Sequence, residues 1–103
     1  MSNTQIIFDR ALQLFCSGAL PGSGEELFFE DFDGSTGSVE IPIEINTAEE
    51  WIRRGFQIRD GQNPVDVFPI WQRNSEYYRN PALPRFRLLP AAFFSRLQVE
   101  PIR

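Results

Sequence analysis

Residues 25–37 read EELFFEDFDGSTG and set five carboxylates among four large apolar side chains. Asp31, Asp33 and Ser35 stand at alternate positions, as the first ligands of a helix-loop-helix calcium loop do. Such a loop then requires glycine at its sixth position and glutamate at its twelfth. Thr36 and Pro42 stand there instead, so the spacing does not build a calcium site. The expectation is no bound metal and no cofactor, with the stretch forming a solvated hairpin tip. As a strand it would place Asp31 and Asp33 on one face and Glu30 on the other.

Sugar-type hydrolysis by paired carboxylates needs two acids about 5–9 Å apart across a cleft. Glu30, Asp31, Asp33, Glu40 and Glu44 supply acids, but no pattern marks any of them as buried or perturbed. Cys16, the single cysteine, acts as a nucleophile only beside an activating base. The chain has no histidine and no lysine, and all ten basic residues are arginines. The commonest general base and metal ligand is therefore missing, as are the Schiff-base amine and the phosphate-loop lysine. Cys16 reads as a partly buried helix residue. Gly22, Gly24, Gly34 and Gly37 are followed by neither a lysine nor a helix start, so they form no phosphate cradle. The chain reads as non-enzymatic.

The second half offers binding chemistry. Trp71, Arg73, Tyr77, Tyr78, Arg79, Arg85, Phe86 and Arg87 fall within WQRNSEYYRNPALPRFR at 71–87. Trp, Tyr and Arg are the usual anchors of protein interfaces, and proline-stiffened segments lose less entropy on docking. The leading reading is a protein-binding or assembly module whose partner is another protein or further copies of itself. Arginines with interleaved rings also suit a nucleic-acid strand. A net charge of −4 and a strongly acidic first half oppose that reading. The acids support its inverse: an inhibitor that mimics a nucleic acid, presenting Glu30, Asp31, Asp33, Glu40 and Glu44, with Glu25, Glu26, Glu49 and Glu50 beside them. A third reading is a small structural subunit of a larger assembly, viral or cellular.

These side chains need elements to position them. TQIIFDRALQLFCS at 4–17 has helical periodicity, with Ile7, Phe8, Ala11, Leu12, Leu14 and Phe15 on one broad face. Two strands are expected at 26–33 and 38–45, joined by GSTG at 34–37. In the second, Val39, Ile41, Ile43 and Ile45 point one way, and Pro42 suggests a sheet edge or bulge. Thr47 and Glu50 form a capping box for a short helix, with Ala48, Trp51, Ile52, Gly55 and Phe56 as its buried stripe. RDGQNP at 59–64 reads as a turn. Beyond Pro64 the expectations are a strand from 65 broken at Pro69, a short helix or irregular segment at 72–80, a strand at 85–89, a helical turn or two at 91–97 and a terminal strand. Together they describe one compact α+β domain over residues 1–103: an N-terminal helix, a β-hairpin, a short second helix and a proline-rich C-terminal part with short strands.

Ten phenylalanines and 42 % hydrophobic residues exceed what a small core hides easily. Charge is segregated: residues 1–50 carry −9 and residues 51–103 carry +5. Either the two halves neutralise each other within the fold, or the protein carries faces of opposite sign that steer partners or copies. The start MSNTQIIFDR lacks a basic n-region and a long apolar core, and no apolar run reaches membrane-span length. A cytoplasmic protein without membrane contact is expected.

Overall fold

The computed structural model describes all 103 residues, Met1–Arg103. The elements in chain order are α1 (Asn3–Cys16), β1 (Gly22–Glu30), β2 (Thr36–Pro42), β3 (Ile45–Asn46), α2 (Ala48–Arg53), β4 (Phe56–Ile58), β5 (Asp66–Arg73), β6 (Phe86–Ser95) and β7 (Val99–Pro101). Short 3-10 turns lie at Ser75–Tyr78 and Arg96–Gln98. The fold is α+β, with the expected N-terminal helix, hairpin, second helix and C-terminal strands. All pairings are antiparallel: β1 with β2, a three-stranded sheet ordered β3-β6-β5, and β4 with β7.

The core is small. Ala11 of α1 packs with Leu20, Ile43, Ile45, Phe68, Ile70 and Phe93. Phe68 and Phe93 stack face to face with ring centroids 3.9 Å apart. They sit diagonally on the same side of the β5–β6 ladder, because Asp66 opposes Phe93 and Phe68 opposes Ala91. Helix α1 begins at Ser2, whose hydroxyl accepts from the Gln5 amide. Arg10 of α1 fastens that helix to β5 through Asp66 at 2.5 Å. A satellite cluster forms around Trp51, whose indole N–H donates to the Phe94 carbonyl at 2.9 Å and whose ring meets Phe56 edge-on. Val99 of β7 is buried as well.

Several expectations change. The strands expected at 26–33 and 38–45 are offset: the turn is residues 31–35, not 34–37, and β1 starts earlier, at Gly22. The turn forms there because the Asp33 carboxylate accepts the Ser35 amide and hydroxyl, which closes an Asx-type loop. Helix α2 ends at Arg53, since Gly55 has φ +92° and turns the chain into β4. Phe56 is therefore a strand residue and Ile52 is exposed. Thr47 does cap the helix, accepting from the Glu50 amide, but the Glu50 carboxylate turns to Arg53 and Arg54. Cys16 is exposed rather than partly buried.

Residues 91–95 are not helical: β6 continues to Ser95, and only from Arg96 does the chain make a 3-10 turn. Nor does Pro69 break β5. The Trp71 amide points away from β6, to Asn3, and the Val67 amide turns to the Asp66 carboxylate. Pro69 lies between them in that outward series, so its missing N–H removes no ladder bond. Its cross-strand partner is Pro90, for which the same holds.

The expected compactness is absent. The Cα radius of gyration is 17.0 Å, against about 13 Å for a compact chain of this length. Two hairpins, β1–β2 and the distal part of β5–β6, extend from a small body, and only 13 of the 103 residues of the chain are buried.

Candidate functional site

The β5–β6 hairpin has two unlike faces. Along one, Phe68, Ile70 and Phe93 are buried against the body. Along the other run four directly opposed pairs: Val67–Ala92, Pro69–Pro90, Trp71–Leu88 and Arg73–Phe86. All eight residues are exposed. A strand alternates its side chains, so a buried face leaves the other to solvent. Here the solvent face is apolar rather than polar, contrary to the usual pattern of an antiparallel sheet wet on one side.

Most of the aromatic and arginine set expected from the sequence lies at the distal end, with Arg87 facing the other way. Asn74 organises it. Its amide donates to the Arg85 carbonyl, its carboxamide N–H to the Pro84 carbonyl, and its carboxamide oxygen accepts from the Glu76 amide. This closes the loop containing Tyr77, Tyr78 and Arg79. The two tyrosine rings meet edge to face at 5.9 Å. The Arg73 guanidinium donates to the Tyr78 hydroxyl at 3.1 Å, and Arg85 lies over the Phe86 ring at 5.9 Å. Arg87 is on the opposite face and reaches Glu76 at 4.0 Å. Trp71 is tied down more firmly than its neighbours. Asn3 grips its backbone at both ends, donating to its carbonyl at 2.9 Å and accepting from its amide at 2.8 Å, and the indole N–H donates to the Met1 carbonyl. The Asn3 carboxamide stands where a neighbouring strand would pair, which blunts this edge of the sheet.

The acidic candidates separate. Glu30 ends β1, Asp31 and Asp33 lie in the turn, and Glu40 is on β2 opposite Glu26. Glu44 stays with the body and pairs with Arg54, so it is not part of an acidic surface on the hairpin. Ser35, through its hydroxyl and then its amide, holds the Asp33 carboxyl below the usual carboxylate range. That carboxylate is engaged by its own turn. No group of three or more Asp, Glu, Cys or His side chains is set to hold a metal ion.

The apolar part of the β1–β2 hairpin is also a surface, which composition does not reveal. Leu27, Phe28, Phe29, Phe32 and Val39 are all exposed, Phe28 at 76 % and Phe32 completely. Leu27 opposes Val39, and Phe29 opposes Gly37, where a β-carbon would come within 2.6 Å of the phenyl ring. The stripe Ile45, Ile43, Ile41, Val39 was legible as an alternation. It is buried at its first two members and emerges into solvent by Val39. At its root it borders a groove of about 670 Å³ between α1, β2, β3 and α2, lined by Ile7, Phe8, Ile41 and Ile43 among others. Leu88, Pro69 and Pro90 join the opposite hairpin's surface through the parity of a ten-residue β6, a signal that the helix-compatible composition of 91–97 obscures.

The two hairpins differ in charge. Residues 22–42 contain six acids and no basic residue, whereas residues 71–90 contain four arginines and one glutamate. The ion pairs of the fold are Arg10–Asp66, Arg53–Glu50, Arg54 with Glu44 and Glu50, and Arg87–Glu76. None joins the two hairpins, so the halves do not neutralise each other where their charge is densest. No helix is long and apolar enough to cross a membrane. The chain matches no family model, no curated protein and no solved structure.

Proposed function

We propose that the protein is a protein-binding or assembly module without catalytic activity of its own, and that the solvent face of β5–β6 with its aromatic end is the contact surface. The observation that carries this reading is the run of four opposed, exposed pairs from Val67–Ala92 to Arg73–Phe86. Contiguous apolar surface of this kind marks interaction sites. Its composition fits: a Trp, two Tyr and Phe86 sit among arginines, the residue types that anchor interfaces. The proline pair and the Asn3 clamp hold the surface before any partner arrives, which lowers the ordering cost of docking.

The test is partner capture by folded variants. Tyr78→Ala and Leu88→Ser leave the core untouched and remove exposed side chains. A central anchor costs about 2 kcal/mol or more on truncation, so partner recovery should fall roughly 30-fold or more. Equal recovery by parent and variants would exclude this face. Trp71→Ala is a poorer probe, since it also frees the N-terminus.

The six acids and no bases of residues 22–42 favour a second reading, the nucleic-acid mimic. Phosphate mimicry gives no role to the exposed phenylalanines interleaved with those acids. A mimic should bind a nucleic-acid-handling protein, lose it when Glu26 and Glu30 become glutamine, and keep it in Phe28→Ser.

A further inference from the structure

The protein exposes too much surface for a self-contained chain. Its accessible area is 7496 Å², whereas a compact monomer of 11.9 kDa exposes about 5,900 Å². The excess, about 1,500 Å², is close to the total area of a standard-size protein interface. Ten of the fifteen exposed large hydrophobic residues lie on the two extended hairpins, which are complementary in kind. The β1–β2 arm is a two-stranded ribbon with exposed Leu27, Phe28, Phe29 and Phe32 and six acids. An isolated two-stranded ribbon is marginal in water unless its apolar side is covered. The β5–β6 face is apolar, and its end carries Arg73, Arg79 and Arg85, while the one acid there, Glu76, is taken by Arg87 on the other side. Arg79 and Arg85 pair with no carboxylate, and neither does any acid of the arm pair with an arginine. The Glu26–Glu40 pair even sets like charges directly opposite each other, an arrangement that an incoming cation relieves.

We propose that the occupant of the β5–β6 face is the acidic β1–β2 arm of a second copy of this chain. This rests on the reading of that face as a contact surface and names its partner. Apolar rings would form the centre of the contact, and the carboxylates of the arm would meet the arginines at its rim, the common anatomy of a protein interface. Like charge excludes arm against arm and end against end, so the contact joins unlike surfaces. It either closes through reciprocal arms or propagates head to tail.

Light scattering with charge-reversed variants tests this. Glu26→Arg with Glu30→Arg reverses the arm, and Arg79→Glu with Arg85→Glu reverses the face; all four residues are exposed. The parent should associate as its concentration rises. Each reversed variant alone should associate at least about tenfold more weakly, since opposed like charges cost several kcal/mol. An equimolar mixture of the two variants should regain association, because each then offers the other a matching surface. Phe28→Ser with Phe32→Ser should also weaken the parent's association while leaving its thermal transition in place. A parent that stays monomeric up to about 1 mM overturns the inference, and so does association that neither reversal changes. Neither result touches the contact-surface reading, which fails only if partner capture ignores Tyr78 and Leu88.

Discussion

Single side chains fasten extended pieces to the small body, and pH acts on them directly. Arg10, by hydrogen bond and charge, holds the Asp66 carboxyl below the usual carboxylate range, and Asp66 is mostly covered. A carboxyl depressed by folding contributes stability above its unfolded value of about 3.9, and that contribution fades as pH falls through the lower folded value. Asp66→Asn should therefore lower the melting temperature at pH 7, by an amount corresponding to about 1 kcal/mol or less. The difference from the parent should close on acidification below about pH 4. A constant difference down to pH 2 would mean that the carboxylate charge is not what matters. Asp33 illustrates a different use of a carboxylate. Ser35 already holds it within the hairpin turn, so calorimetric titration with calcium or magnesium should reveal no site tighter than about 1 mM, weaker than most sensor loops. Asn74 is almost completely buried, and its carboxamide satisfies two backbone groups of one loop. Asn74→Ala should cost about 1–3 kcal/mol, a drop in melting temperature that thermal denaturation resolves easily.

Elements differ in how they are held. The part of β5–β6 around Phe68, Ile70, Ala91 and Phe93 has a ladder on one side, helix α1 across one face and the core beneath. The β1–β2 arm beyond Ile41 has only its own ladder, with Phe29 folded over Gly37. Local opening is easiest where few buried apolar contacts hold a hydrogen-bonded pair. Amide exchange in dilute protein should therefore be much faster at residues 26–40 than at residues 66–70 and 89–93. Arm amides as slow as that of Phe93 in the single copy would show that the arm is held by something more than its ladder. At concentrations where copies associate, arm protection should rise, which links this measurement to the contact inferred above.

The whole molecule is elongated, with principal extents of 55 × 39 × 23 Å. Small-angle scattering at the lowest workable concentration should give a radius of gyration well above the roughly 13 Å of a compact chain of this size. A value near 13 Å would mean that the arm folds back on the body in solution and would remove the uncovered area on which the interaction readings depend. A radius that grows with concentration would report association instead, so the two effects separate on dilution.

The amino-acid sequence alone dictates the local elements whose causes are local. Helix α1 follows from its apolar spacing, the N-cap of α2 from Thr47, and the inward stripe at Ile43 and Ile45 from strict alternation. It also placed the charge asymmetry and the aromatic and arginine cluster at 71–87. Which apolar residues have anything to pack against depends on contacts between segments distant along the chain. Val39 and Ile43 are equivalent in an alternating pattern, yet one is buried and the other is not, because the body ends between them. Pro69 signals a break when β5 is read alone; opposite Pro90 and with its amide position facing outward, it costs no pairing. The stretch 91–95 shows the same dependence. Its two alanines and two phenylalanines fit a helix locally, but pairing with β5 on one side and β3 on the other makes it the centre of the sheet.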